Sequence, residues 1–258
     1  MTTDRLIAFD RVLNFRDFGG YDTPNGPIAR GKLFRSASFH DATDTDMSKL
    51  DGLGVRFLVD LRRPEERSFE ANKWPGDAVQ TIFHEEGVGA GLPPHLVALI
   101  QSDLTPDSVT TYMTDLYREF PFDTRLIALY RRWFEELAQG GAGIIHCAAG
   151  KDRTGFGCAL THLALGVDED AVFADYDFTN QAVDIEARLP RIQARFEERL
   201  GRKLSAAALR PMLGVSSDYL RASFDAIATK HGDMNAYLAD VLNVGEAERA
   251  RLRETLIA

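Results

Sequence analysis

Residues 142–166 read AGIIHCAAGKDRTGFGCALTHLALG, and no other stretch restricts the fold as much. Ala142–His146 is a short apolar run suited to a buried strand, and Thr154–Gly166 has the composition of a buried helix. Between them Cys147, Lys151, Asp152 and Arg153 stand among Ala148, Ala149 and Gly150. Such a mixture suits neither a strand interior nor a helix interior. The chain must therefore turn from strand to helix in one tight loop, which points to an α/β protein.

The same loop suggests chemistry. Backbone N–H groups at the start of a helix can turn inward and hold an anion. Ala148, Ala149 and Gly150 are small enough for the backbone to curl, and Gly150 tolerates backbone angles closed to other residues. Cys147 stands at the loop's entrance, where a helix N-terminus and Arg153 favour the thiolate, the nucleophilic form. Arg153 offers a planar fork for two phosphate oxygens. Thr154 can donate a hydroxyl hydrogen bond to the sulfur. These parts suit in-line phosphoryl transfer to sulfur, then hydrolysis. A purely structural Cys147 or a sulfur-transfer loop fits less well, because Arg153 and Thr154-Gly155 follow.

The rest of the chain agrees with a mostly parallel central sheet flanked by helices. Strands are predicted over Lys32–Ala37, Val55–Leu61 and Ala78–His84, and helices over Asp44–Gly54 and Asp123–Ala138. In the second helix Ile127, Tyr130, Phe134 and Leu137 recur at helical spacing. A helix start is also expected at Pro64. Beyond Asp168 the pattern is helical throughout, with breaks expected near Pro190, Gly201, Pro211, Gly214, Gly232 and Gly245. We read one domain over 1–258, with a helical C-terminal portion from about 181. The Gly/Pro-rich stretch and amphipathic pieces at about 87–120 could form a lid, or an ordinary helical layer on the sheet.

Composition narrows the function classes. With 258 residues, 45% of them hydrophobic, the chain can bury one sizeable core. Its net charge of −9 argues against non-specific nucleic-acid binding and disfavours anionic membranes. Two cysteines make no disulfide framework, the N-terminus has no apolar signal core, and no apolar run is long enough to span a membrane. A cytoplasmic, reducing location is the expectation; the oligomeric state is not legible. The six histidines lack paired metal spacing, so no metal or other cofactor is expected. His162 and Cys158 read as core residues of the helix after the loop, with Cys158 a redox partner of Cys147 as the lesser reading.

Cys-x5-Arg-Thr after an apolar strand and His146 resembles the protein tyrosine phosphatase superfamily. The string HCAAGKDRTG is similar to one of its bacterial tyrosine-phosphatase families. NFRDFGGY (14–21), ARGKLFRSA (29–37), VRFLVDLRRPEE (55–66) and DYDFTN (175–180) resemble that family in kind and order. The resemblance spans roughly residues 10–180. It implies a metal-independent, cysteine-dependent phosphomonoesterase for phosphotyrosine, in some members also for phosphoserine, phosphothreonine and phosphoinositides. Lys151 within the loop resembles lipid phosphatases, where a cation suits multiply phosphorylated head groups.

The leaving oxygen needs a general acid, and the family's usual Trp-Pro-Asp loop is absent: KWPGD (73–77) has Gly76 where the aspartate would stand. Asp152, inside the loop, is the first candidate. Asp60, at the end of FLVD, is the second, with an ion pair to Arg62 or Arg16 as its alternative. His146 is expected to orient the loop. Asn14, Arg16 and Asp17 either support the phosphate loop or brace a turn with Gly19 and Gly20. Arg62 and Arg63 line the pocket mouth or serve as plain solvent charges. A phospholigand-binding protein without turnover and an inositol polyphosphate phosphatase are the other function classes.

Overall fold

The computed structural model describes residues 5–73, 79–85, 97, 101–201 and 205–258. Its centre is a five-stranded sheet of order β1-β4-β7-β5-β6, with β1 Arg16–Asp17, β4 Leu33–Ser36, β5 Val55–Asp60, β6 Gln80–Ile82 and β7 Ala142–His146. All neighbours run parallel except β1, which pairs antiparallel with β4. The intervening β2 (Asp22–Thr23) and β3 (Gly26–Pro27) form a small separate hairpin. β1 and this hairpin carried too few residues to show a periodicity.

Alternation along the strands builds two cores. Phe57, Val59 and Ile145 face the larger core with the helices α4 (Thr124–Ala138) and α5 (Asp152–Leu165). Phe34, Leu58 and Ile144 face a smaller one beneath α1 (Asp44–Asp51). Gly143 is required where the strands cross over an aromatic ring, since a Cβ there would lie 2.3 Å from Phe57. α4 begins at Asp123, whose side chain accepts from the Arg125 and Leu126 amides. It buries Leu126, Leu129, Tyr130, Trp133, Phe134 and Leu137, each contributing roughly 1.5–3 kcal/mol.

Parallel register brings the working ends of three strands together. His146, the last residue of β7, lies between Ser36 of β4 and Asp60 of β5. The loop after β7 therefore opens at the carboxyl edge of the sheet, where α/β proteins place their ligands.

The longer of the other helices among the described residues are α2 (Pro64–Phe69), α3 (Pro106–Glu119), α6 (Glu169–Asp177), α7 (Ile185–Leu200), α8 (Ala206–Leu213), α9 (Ser217–His231) and α10 (Glu246–Leu256). Gly201, Gly214, Gly232 and Gly245 cap them as expected. Pro190 and Pro211 do not end helices: each lies inside one, α7 and α8. A proline removes one intrahelical bond, and flanking turns that are already packed carry the helix past it. Of the proposed lid, residues 87–96 and 98–100 lie outside the described residues. The part described is α3, which packs against α8 and α9 as a helical layer and buries Val109, Met113 and Tyr117. The Trp-Pro stretch likewise falls in 74–78, outside the described residues. At the far end Ile257 bridges to Ile28, and Ala258 N–H donates to the Pro27 carbonyl at 2.9 Å. Among the described residues no helix is long and apolar enough to cross a membrane.

Candidate active site

The loop after β7 has its carbonyls tied away from its concave side. Cys147 C=O accepts from His146 Nδ1 at 3.1 Å, and Ala148 C=O from the Ser38 amide at 3.1 Å. Gly150 C=O accepts from Asn14 Nδ2 at 2.7 Å and from Arg35 Nη2 at 2.9 Å. Lys151 C=O accepts from the Gly155 amide at 2.8 Å. In a trans peptide the N–H points opposite to its C=O. Tying these four carbonyls outward therefore turns the amides of Ala148, Ala149, Lys151 and Asp152 inward, at the start of α5. Gly150 makes the bend with φ +67°, and a Cβ on it would lie 2.3 Å from the Ser36 carbonyl group.

Cys147 is buried at the base of this cradle and unpaired in any disulfide. Arg153 closes it. Its Nη1 donates to Glu66 Oε2 at 2.7 Å and to Leu61 C=O at 3.2 Å, and its Nη2 to Glu66 Oε1 at 2.8 Å. Burial works to raise the Glu66 carboxyl, but the Arg153 guanidinium outweighs it and holds the group at about 2. Tyr130 fixes the Arg153 backbone by donating to its carbonyl at 2.7 Å. The Thr154 hydroxyl is buried and makes no hydrogen bond among the described residues.

The two candidate acids sit in contrasting surroundings. Asp60 receives Arg62 Nε at 3.0 Å and Nη2 at 2.7 Å, and its Oδ2 lies 3.5 Å from His146 Nε2. Burial opposes its charge, yet His146 and Arg62 hold the carboxyl far below the usual carboxylate range. The ion pair with Arg62, the alternative for Asp60, is thus the arrangement found. Asp152 sits at the first turn of α5 with its side chain 20% exposed. Its Oδ1 accepts from Lys151 Nζ at 2.8 Å and from Tyr117 Oη at 2.7 Å. Tyr117 in turn accepts from Tyr176 Oη at 2.6 Å. Lys151 Nζ also donates to Gly214 C=O at 3.2 Å, which ties the C-terminal helices to the loop.

Other sequence expectations divide. His146 lies against the loop, and because the Cys147 carbonyl only accepts, the His146 Nδ1 carries the proton between them. Asn14 and Arg16 stand beneath the loop, Asn14 bonding Gly150 and Arg16 bonding Asn14 Oδ1. Asp17 does not join them. It accepts from the Gly19 and Gly31 amides and braces a turn. Arg62 is neither a mouth residue nor a solvent charge, since Asp60 holds it buried. Arg63 is partly exposed at the N-cap of α2. Cys158 is a core residue whose thiol burial pushes up to about 12.

Three residues escaped the sequence reading: Glu66, Arg35 and Asp175. Arg35 stands in β4, whose four residues are all buried, and Asp175 is the one acidic residue of α6 that is buried. A charge in such a place needs a partner, and that was the available signal. Glu66, in the first turn of the helix after β5, lies next to the end of the strand that flanks the loop.

The mostly parallel sheet thus presents, at its carboxyl edge, a loop that starts with a buried cysteine and ends at an arginine clamped by Glu66. The chain belongs to the tyrosine phosphatase family, whose model matches residues 7–258. It is 33% identical over 247 residues to a protein of Cupriavidus necator provisionally named a tyrosine-protein phosphatase, covering 94% of this chain and 86% of that one. It is 32% identical over 272 residues to the triple specificity protein phosphatase PtpB of Mycobacterium tuberculosis, covering 95% of this chain and 96% of that one. Among solved structures, the crystal structure of P. aeruginosa TpbA covers 80% of this chain and 95% of its own, at 15% identity and a TM-score of 0.30. The protein is accordingly a phosphoric monoester hydrolase of the tyrosine-phosphatase kind.

Proposed function

We propose that the enzyme hydrolyses phosphotyrosine through a Cys147 thiophosphate, with phosphoserine, phosphothreonine and phosphoinositides as further substrates. The outward-tied carbonyls of Cys147, Ala148, Gly150 and Lys151 carry the reading, because they leave the inward amides free to hold the phosphoryl oxygens. The sulfur attacks phosphorus as the P–O bond to the leaving group breaks, and Asp152 gives its proton to the leaving oxygen. Water then attacks phosphorus, passes a proton to Asp152, and releases inorganic phosphate and the thiolate. Inward amides and Arg153 stabilise the charge that develops in both steps.

Asp152 suits the acid role better than Asp60. The Tyr117 and Lys151 hydrogen bonds both fall on Oδ1, leaving Oδ2 to carry the travelling proton. Asp60 is committed to Arg62 and supports His146. The wider substrate range rests on Lys151 beside the pocket and on the likeness to a relative named for triple specificity.

The test is phosphate release from matched phosphotyrosine, phosphoserine and phosphothreonine peptides and phosphoinositides, by wild type and Cys147→Ser without added metal. Release that depends on Cys147 and is fastest from phosphotyrosine is the expected result. Faster release from phosphoinositides or inositol phosphates would move the enzyme to the lipid branch. No release from any of them by folded protein would sink the proposal.

A further inference from the structure

The underside of the loop carries an unusual balance of charge. Arg16 and Arg35 are both fully buried there and share one carboxylate, Asp175. Arg35 Nη1 lies 3.2 Å from Asp175 Oδ2, whereas Arg16 Nε is 3.6 Å from Oδ1. Arg16 spends Nη2 on the Asp175 carbonyl and the Thr179 hydroxyl, each at 3.1 Å. Arg35 spends Nη2 on the Gly150 carbonyl at 2.9 Å, within the phosphate loop itself.

The other groups packed beneath the loop do not supply a second negative charge; the anion that acts on Arg35 from within the loop is the Cys147 thiolate of the proposed reaction. Burial keeps the Cys158 thiol neutral by raising it to about 12, and burial also raises the Tyr21 phenol and lowers His162. Burial opposes ionisation of Asp175, but the two arginines hold it at about 2, so it is charged. Burial and the repulsion of Arg35 bring Arg16 down to about 10, which leaves it charged at neutral pH. Beneath the loop two cations and one anion remain, so the surplus positive charge faces the Cys147 thiolate and the phosphate that it attacks. A surplus charge in a region closed to water is costly, and a phosphate dianion held in the cradle would meet it across the Gly150 peptide, which Arg35 bonds.

We infer that Arg35 is a positioning residue for the reaction: it turns the Gly150 carbonyl outward and supplies, from beneath the loop, the fixed positive charge that faces the Cys147 thiolate and a bound phosphate dianion. This rests on the reading of residues 147–153 as the phosphate cradle. Arg153 grips substrate from above and is itself paired with Glu66, and Lys151 is paired with Asp152, so the positive charge beneath the loop comes from Arg35 and Arg16, which share Asp175.

The sign of the charge separates this role from simple bracing. Tungstate, a phosphate-like dianion, is titrated calorimetrically into wild type, Arg35→Met, Arg35→Lys and Asp175→Asn, with the thermal midpoint of each recorded. Arg35→Met should bind about tenfold more weakly, Arg35→Lys within about threefold of wild type, and Asp175→Asn about threefold or more tighter, although it loses the same ion pair. Bracing alone predicts weaker binding in Arg35→Met and Asp175→Asn alike, and that result overturns the inference. Unchanged affinity in Arg35→Met also overturns it. If Arg35→Met fails to fold, the opposite signs expected of Asp175→Asn and bracing still decide. Wild type that binds no tungstate would bring down the cradle reading itself, a different failure from binding that ignores the sign of the charge.

Discussion

Glu66 grips both terminal nitrogens of Arg153, 2.7 Å from Nη1 and 2.8 Å from Nη2. The contact fixes the plane of the guanidinium before any substrate arrives. Arginine has five N–H donors in a rigid fork, so this clamp still leaves others for phosphate. The cost of orienting a long side chain is met during folding rather than during catalysis.

Glu66→Gln should therefore lower kcat/KM roughly ten- to a hundredfold, about 1.4–2.7 kcal/mol of transition-state stabilisation. Stability should change with pH in a defined direction. The folded carboxyl sits at about 2, below its ordinary 4.5, so the pair's contribution is fully present above about 4.5 and is lost as pH falls towards 2. The pair is partly open to water, so its contribution is on the order of 1–2 kcal/mol. Acid denaturation followed by circular dichroism checks this. Glu66→Gln should be less stable than wild type at pH 6 and close the gap towards pH 2.

Asp152→Asn should slow alkyl phosphates, whose leaving oxygen needs a proton, far more than nitrophenyl phosphate, whose leaving group departs without one. Asp60→Asn should slow both alike, because it loosens the Arg62 and His146 supports and not the acid. Comparing kcat for the two leaving groups in both variants measures the difference. Equal losses in Asp152→Asn would remove it as the acid.

Residues that fix the loop were legible where spacing alone carries the meaning. Cys147, Gly150 and Arg153 lie within one continuous segment, and the apolar runs on either side gave β7 and the buried part of α5. The bracing residues were not legible in the same way. Asn14, Arg35 and Asp175 meet at the loop from β4, α6 and the segment before β1, and nothing local announces that meeting. Of the readings open for Arg62, the ion pair with Asp60 is the arrangement found; the sequence also left it as a solvent charge because a charged residue at a helix entrance usually faces water. Strands of two residues such as β1 are invisible to periodicity, though β1 places Arg16 beneath the loop.

Gly150→Ala should abolish most activity. The new Cβ would lie 2.3 Å from the Ser36 carbonyl group, and φ +67° is strained for any residue with a side chain. Both defects push the loop away from β4 and the Arg35 and Asn14 donors. A stability loss of about 2–3 kcal/mol is expected in urea unfolding, with tungstate affinity falling in the same variant.

Tyr117 connects stability and catalysis in a way that a double substitution separates. Its hydroxyl accepts from Tyr176 Oη at 2.6 Å and donates to Asp152 Oδ1 at 2.7 Å. Tyr117→Phe leaves the buried Tyr176 hydroxyl without its partner, at a cost of about 1–3 kcal/mol, and frees the Asp152 carboxyl to rotate. Replacing both tyrosines by phenylalanine removes the orphaned hydroxyl as well, so the double variant should recover much of that stability. It cannot restore the hydrogen bond to Asp152. Turnover of alkyl phosphates should then stay about tenfold low in the double variant, while its urea midpoint returns towards wild type. Recovery of both quantities together would mean that the tyrosine pair only packs the core.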